Sequence, residues 1–168
     1  PFAGSYGHSV PRIDGAEQSA GRAFEGEILL FDVSRDTKRV EMRIEDAYAS
    51  PDLTSAHRAL TVTPAGDFVV EDVFCFDAEG RPVEEAFVTW CRAWVSGHTA
   101  LLIGRRHVLE LTIEEPREVD FALEVMVEAS TANNKAVPLK RLTFVIDPAD
   151  GEMRARVRAR VLPDASVS

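Results

Sequence analysis

His8 is the first residue of the chain whose type and surroundings suggest chemistry. It lies in the segment 5–18, which also contains Pro11 and the pair Asp14-Gly15. Asp-Gly favours a turn, because glycine adopts positive φ without strain and aspartate can bond its own backbone. The segment is therefore predicted to form an ordered loop or a strand end. An imidazole held there could ligate a metal, although a lone histidine is more often a packed structural residue.

Four arginines near the end of the sequence form a second candidate site. They alternate with apolar residues over 153–161, so a strand there would place the arginines on one face and the apolar side chains on the other. Guanidinium groups about 7 Å apart in a row could bind the sulfates or carboxylates of an acidic polysaccharide. The alternative, which the excess of acidic residues favours, is pairing with carboxylates of a neighbouring strand. The arginines are Arg154, Arg156, Arg158 and Arg160, and the expected partners are Glu118, Asp120, Glu124 and Glu128.

The other histidines, the tyrosines and the cysteines show no spacing that is typical of a reactive centre. No pair of histidines has the His-x-His or His-x-x-x-His spacing of a metal site. A hairpin between 67–76 and 83–91 would put Cys75 opposite Glu85, so two free, partly buried thiols are favoured over a bridge to Cys91. No catalytic residue is assigned in this chain. The residues considered for such a role are Tyr6, Tyr48, His57, His98 and His107.

Composition limits the classes of partner. The chain has 168 residues, enough for one domain with a proper core, and 45% of them are hydrophobic. Its formal net charge of −9 argues against binding to nucleic acid and to an anionic membrane surface, because both attract basic patches. No apolar run approaches the roughly 18 residues that cross a bilayer. Because the chain begins at Pro1 and not at methionine, we expect a fragment or a processed protein.

Short alternating segments separated by Gly and Pro turns dominate the sequence. In 39–45, for example, Val40, Met42 and Ile44 alternate with charged residues, as is typical of a half-buried strand. Many short strands at roughly 8–12-residue spacing predict an antiparallel β-sandwich. We therefore predict an all-β single domain over 1–168 with little or no helix. The further predicted strands cover 58–63, 68–76, 83–90, 92–95, 100–103, 107–113, 118–128, 139–146 and 153–161, after an apolar run at 23–33.

The segment 7–21 resembles a stretch of heparinase II/III-like proteins. It reads Gly-His-Ser-Val-Pro-Arg-Ile-Asp-Gly-Ala-Glu-Gln-Ser-Ala-Gly, and the family stretch usually has the form His-Asn-x-Pro/Val-x-Ile/Val-Asn/Asp-Gly-x-x-Gln. The later segments 56–60, 70–74, 83–90 and 139–144 also fit, so the resemblance covers essentially the whole chain. The opening motif is moderately specific, whereas the later strands are generic.

The resemblance implies the C-terminal, supersandwich-like β-sandwich of a bacterial polysaccharide lyase, preceded by an N-terminal (α/α) toroid of the same protein. Such enzymes cleave acidic, uronate-containing polysaccharides by β-elimination. The charge that develops on the uronate carboxylate is stabilised while a tyrosine or histidine removes the neighbouring proton. The resemblance places the catalytic residues upstream of this chain, so turnover by the chain alone is not expected. The implied compartment is the bacterial periplasm or cytoplasm.

The resemblance also bears on His8, which matches a histidine that completes a structural zinc site in some family members. Its expected partner ligands, a histidine and an aspartate, would precede Pro1. One imidazole cannot hold zinc tightly, because structural sites use about four ligands. No cofactor is therefore expected in this chain, and a structural zinc only in the longer parent protein. Ser9, where asparagine is commoner, departs from the family pattern.

A non-catalytic carbohydrate-binding or protein-interaction β-sandwich is the alternative function. It would be favoured if the four arginines were unpaired and flanked by exposed aromatic residues such as Trp90 or Trp94. A third alternative is a purely structural module, which predicts neither glycan binding nor a cleft.

Overall fold

Two antiparallel β-sheets pack face to face in the structure, which is a computed structural model. It describes residues 3–33, 36–77, 80–148 and 151–163. The all-β antiparallel sandwich predicted from the alternating segments is confirmed, and the single-domain assignment of 1–168 stays a prediction.

Strands account for most of the regular structure in the described ranges. The strands are β1 (Arg12–Ile13), β2 (Glu27–Asp32), β3 (Lys38–Arg43), β4 (Leu53–Val62), β5 (Phe68–Phe76), β6 (Val83–Thr89), β7 (Arg92–Ser96), β8 (Thr99–Ile103), β9 (Val108–Glu115), β10 (Ala122–Met126), β11 (Leu139–Ile146) and β12 (Glu152–Leu162). The remaining elements are the helix α1 (Val127–Ala132) and two 3-10 turns at Ser5–Gly7 and Glu45–Ala47.

The two sheets differ in size. The larger sheet has eight strands in the order β2-β3-β4-β5-β12-β9-β8-β7, and the smaller has four in the order β1-β6-β11-β10. Every pairing between named strands is antiparallel. Several neighbours in the sheets, such as β5 and β12, are far apart in sequence, so crossovers between the sheets connect them.

The core lies between the two sheets and is built from alternate residues of their strands. Phe74 from the larger sheet and Leu142 from the smaller sheet are both fully buried. Phe121 lies edge-on to Phe144, with ring centroids 5.7 Å apart, and edge-on to Phe87 at 6.4 Å. Such T-shaped pairs add a specific geometry to the apolar burial.

The predicted hairpin between 67–76 and 83–91 is wrong. β5 pairs with β4 and β12 in the larger sheet, whereas β6 belongs to the smaller sheet. Cys75 lies opposite Ser55 and not opposite Glu85. Alternation of apolar residues specifies the face on which a side chain lies, but it does not specify the neighbouring strand. The prediction of two free, partly buried thiols is nevertheless confirmed.

The predicted strand 118–128 is shorter in the structure and is followed by a helix. β10 covers only Ala122–Met126, and α1 begins at Val127. The buried Ser130 hydroxyl accepts a hydrogen bond from the backbone N–H of Leu139 and so ties α1 to the start of β11. Within the described ranges, no helix combines the length and the apolarity that a membrane span requires.

β2, from the apolar run 23–33, is an edge strand of the larger sheet. All six of its residues are exposed, including Ile28 at 65% and Phe31 at 68%. Its register with β3 shifts between Ile28 and Leu30. A β-bulge of this kind twists a sheet edge and disfavours pairing with another strand.

Candidate functional site

His8 lies on the surface, directly after the first 3-10 turn. Its backbone N–H donates to the carbonyl of Ser5 at 3.0 Å, and the residue is exposed to solvent. The next residue anchors the segment, because the Ser9 hydroxyl accepts a hydrogen bond from Val88 N–H on β6 at 3.0 Å. The ordered loop predicted for 5–18 is therefore present, and it leads into β1.

The described residues do not supply a zinc site at His8. Nowhere in these ranges do three His, Cys, Asp or Glu side chains come close enough together to hold a metal ion. The later histidines are also dispersed: His57 is exposed on β4, and His98 faces Asp120 at 3.9 Å in the turn after β7. A metal at His8 would need its other ligands from outside the described chain, and the ligand assignment stays a prediction.

The loop around Ser9 instead meets a buried cluster of charges, which we call the inter-sheet triad (Arg58, Asp72 and Glu85). Arg58 donates to both carboxylate oxygens of Asp72 at 2.7 Å, to Glu85 Oε2 at 3.2 Å and to the Ser9 carbonyl at 2.8 Å. Arg58 and Asp72 are opposite each other on β4 and β5, and Glu85 projects from β6 in the other sheet. The triad therefore links both sheets and the loop.

Two carboxylates share one guanidinium in the inter-sheet triad, and this perturbs their acid–base behaviour. Burial raises the pKa of Glu85 well above its usual range, the negative charge of Asp72 raises it further, and Arg58 only partly offsets both. Burial acts to lower the pKa of Arg58, but the charge and hydrogen bonds of Asp72 outweigh it, so that pKa is raised. Glu85 therefore keeps its proton to a higher pH than an exposed carboxyl does.

A tyrosine closes the side of the inter-sheet triad that faces the loop. The Tyr48 hydroxyl donates to the Pro11 carbonyl at 2.8 Å and lies 3.4 Å from the Gln18 amide. Burial raises the pKa of Tyr48, so its hydroxyl stays protonated and cannot act as a base at neutral pH.

A raised carboxyl pKa, such as that of Glu85, is often found at catalytic sites. Here, however, the three triad residues are at most 7% exposed, which keeps substrates away, so the triad joins the two sheets.

A second cluster covers the outer face of the smaller sheet. Arg141, 1% exposed, bridges Glu84 at 2.7 Å and Glu124 at 2.9 Å, and the Tyr6 ring stacks on its guanidinium at 3.7 Å. The Tyr6 hydroxyl donates to Glu124 at 2.8 Å. Burial and this hydrogen bond raise the pKa of Tyr6, so it is not a base either. The cluster fixes the segment before β1 onto the sheet.

The four arginines of β12 line the outer face of the larger sheet, and each one contacts at least one carboxylate. Arg154 and Arg156 both pair with Glu71, Arg156 and Arg158 both pair with Glu114, and Arg158 and Arg160 both pair with Asp67. Hydrogen bonds from these arginines lower the pKa values of Asp67 and Glu114. The four arginines are therefore ion-paired with carboxylates, which is the alternative that the sequence favoured.

The carboxylates predicted to pair with these arginines are not the ones that do. β12 lies between β5 and β9, so Asp67, Glu71 and Glu114 stand beside it. β10, which was expected to supply the partners, belongs to the other sheet, and its Glu124 pairs with Arg141. Binding of an acidic polysaccharide by Arg154, Arg156, Arg158 and Arg160 stays a prediction, and such a ligand would have to compete with these carboxylates.

Exposed aromatic residues meet one of the two conditions set for the alternative function. Trp94 is 70% exposed and Trp90 is 46% exposed. The other condition, unpaired arginines, is not met on β12.

Neither a protein-family model nor a curated protein sequence matches the chain. Among solved structures, the heparan sulfate lyase HepC of Pedobacter heparinus matches with a TM-score of 0.74 and 12% identity over 96% of this chain. A heparinase III gene product with methylated lysines gives 0.72 and 13% over 95%, and a further heparinase III gives 0.65 and 15% over 93%.

This chain corresponds to only a quarter or slightly less of each of those proteins, with shares of 25%, 24% and 23%. At these identities the comparison concerns the fold. The resemblance stated from the sequence is thus confirmed: the chain has the fold of a β-sandwich portion of heparinase III-type heparan sulfate lyases.

Proposed function

We propose that the chain is the C-terminal β-sandwich portion of a heparinase II/III-like polysaccharide lyase that cleaves uronate-containing polysaccharide by β-elimination. The observation that carries this proposal is the match to a heparan sulfate lyase over 96% of the chain. The resemblance of the segment 7–21 to the family stretch supports it independently. In the structure this segment contacts both sheets, because Ser9 bonds to Val88 on β6 and to Arg58 on β4.

The proposal assigns the reactive groups to the remainder of a longer protein. β-Elimination needs a base for the proton next to the uronate carboxylate and donors that stabilise the developing negative charge. The two tyrosines of this chain are poorly suited as bases, because the pKa values of Tyr6 and Tyr48 are raised by burial. The sandwich would order and support a catalytic unit, which in this proposal is an N-terminal (α/α) toroid.

The exposed strand β2 offers a surface on which the sandwich could contact such a catalytic unit. Its apolar residues, together with Val33 at 60% exposure, form a larger apolar surface than a solvent-facing strand needs. In the proposed longer protein, the preceding toroid covers this surface. This β2 surface consists of Ile28, Leu29, Leu30, Phe31 and Val33.

Assays of lyase activity test the proposal directly. The 168-residue chain and a longer protein that contains it would be incubated with heparan sulfate, alginate and hyaluronan, and the unsaturated product followed by its ultraviolet absorbance. We expect the chain to be inactive and the longer protein to cleave at least one of these polymers. Activity of the chain alone would contradict our placement of the catalytic groups, and inactivity of the longer protein on uronate polymers would contradict the lyase assignment.

His8 gives a second test of the same proposal. Its imidazole is exposed, so ligands from an upstream segment could reach it. We expect His8→Ala in the longer protein to reduce the zinc bound per chain, because one ligand of about four would be lost. His57→Ala, which changes another exposed histidine, is the matched control. Unchanged zinc content in His8→Ala, measured by atomic absorption, would remove the ligand assignment.

A further inference from the structure

Two parallel rows of side chains cross the outer face of β7, β8, β9 and β12. The first row starts at Trp94, and the second, two residues along each strand, starts at Ser96. Neighbouring members of a row are register partners, and neighbouring strands lie about 4.8 Å apart. The first row is Trp94, Leu101, Glu110 and Arg160, and the second is Ser96, Thr99, Thr112 and Arg158.

The backbone pattern fixes the direction in which these rows point. Ala93, Val95 and Leu102 pack against the core, so the residues that alternate with them face outward. Trp94 is accordingly 70% exposed. An indole and a leucine thus lie beside a line of hydroxyl groups on one surface.

A groove follows these rows at the β7 edge of the sheet. Its volume is about 370 Å³, within the range of small-ligand sites. Trp94 and Leu101 supply an apolar floor, while Thr99 and Glu110 supply hydroxyl and carboxylate oxygens. The groove therefore suits a ligand that has an apolar face and a rim of hydroxyl groups.

The charges around the rows argue against an anionic ligand. Arg160 pairs with Asp67 at 3.2 Å, and Arg158 pairs with Asp67 at 3.1 Å and with Glu114 at 2.5 Å. These guanidinium groups are neutralised and held in place, so they can offer hydrogen bonds without a net attraction for sulfate. Glu110 adds a negative charge to the groove. Charge complementarity therefore favours an uncharged ligand.

We propose that this surface binds a neutral sugar ring of a saccharide chain, with the apolar face of one pyranose stacked on Trp94. The ring hydroxyls hydrogen-bond to Thr99 and Glu110, and the next sugar extends over the row towards Arg160. The proposal concerns binding by this chain alone, and it does not depend on the lyase assignment. The site is separate from the exposed apolar residues on and beside β2, namely Ile28, Leu29, Leu30, Phe31 and Val33, which offer no side-chain hydroxyls.

Titration of the 168-residue chain with defined oligosaccharides tests the proposal. The probes are cellohexaose and N-acetylchitohexaose, which are neutral, and an alginate hexasaccharide, which is anionic, with tryptophan fluorescence and calorimetry as readouts. We expect binding of at least one neutral probe that is insensitive to salt. Trp94→Ala should weaken it about tenfold, which is the effect of losing one aromatic stacking contact. Trp90→Ala is the matched control and should leave the affinity unchanged.

The proposal would be overturned if neither neutral probe bound at millimolar concentration, or if Trp94→Ala bound with the affinity of the parent chain. Binding that weakens steeply as salt is added would also overturn it and would indicate anion binding by the arginines. A parent chain that self-associates, and that Trp94→Ala makes monomeric, would overturn it by indicating a protein contact at Trp94. Circular dichroism of Trp94→Ala confirms that the variant is folded, and none of these results depends on lyase activity.

Discussion

Arg58→Met is expected to lower the free energy of unfolding by about 3–5 kcal/mol, because it leaves buried carboxyl groups without their cation. Arg58 is 7% exposed, and Asp72 and Glu85 are each 1% exposed. Methionine fills much of the same volume, so the loss reports on charge and hydrogen bonding more than on a cavity. The variant also frees the Ser9 carbonyl, which loosens the loop that leads into β1.

Equilibrium unfolding in urea, followed by circular dichroism, measures this effect. Arg39→Met on β3 is the matched control, since Arg39 pairs with Glu41 but its side chain is 35% exposed. Partly exposed pairs contribute about 1 kcal/mol or less, so the control should stay close to the parent chain. A loss below about 1 kcal/mol for Arg58→Met would show that the inter-sheet triad is not held together by its cation.

Glu85→Gln is expected to have the opposite sign and to stabilise the chain at neutral and alkaline pH. Burial and the Asp72 charge raise the pKa of Glu85 well above its value of about 4.3 in an unfolded chain. Between these two pKa values the folded chain holds a proton that the unfolded chain releases. Stability is therefore full below pH ~4 and falls as the pH rises towards the folded pKa. Glutamine carries no such proton, so the variant escapes this loss.

The expected gain is about 1.4 kcal/mol for each unit by which the pKa of Glu85 is raised. Urea unfolding of the parent chain and of Glu85→Gln, at several values from about pH 5 to pH 8, would show the two stabilities diverging as pH rises. Glu118→Gln is the control, because Glu118 is exposed and lies outside the triad. A constant difference between the parent and Glu85→Gln across this range would contradict the raised pKa.

The strand pattern of the fold is readable in the sequence, whereas the strand order is not. The predicted strand 139–146 coincides with β11, and 153–161 lies within β12. The segment 153–161 alternates strictly between apolar and charged residues, and in 139–146 the apolar residues Leu142, Phe144 and Ile146 recur at every second position. The error over the partners of β5 and β12 arose because neighbours in an antiparallel sheet are set by long-range packing, which period-two patterns do not encode.

The inter-sheet triad was missed for a different reason. Arg58 lies between Ala56 and Leu60, and Asp72 between Val70 and Phe74, so each charge occupies an inward position of an alternating strand. One charge at an inward position is a recognisable pattern, and opposite signs on two strands would have predicted the pair. Its third member, Glu85, comes from the other sheet, and sequence patterns do not show which residues meet across a sandwich.

The position of β12 also has a consequence for synthesis of the chain. β12 is the last strand described, yet it lies in the middle of the larger sheet between β5 and β9. During translation, β5 and β9 therefore expose unpaired backbone edges until β12 has left the ribosome. Long-range pairing of this kind folds slowly and leaves aggregation-prone intermediates, so the nascent chain is prone to aggregation at this stage.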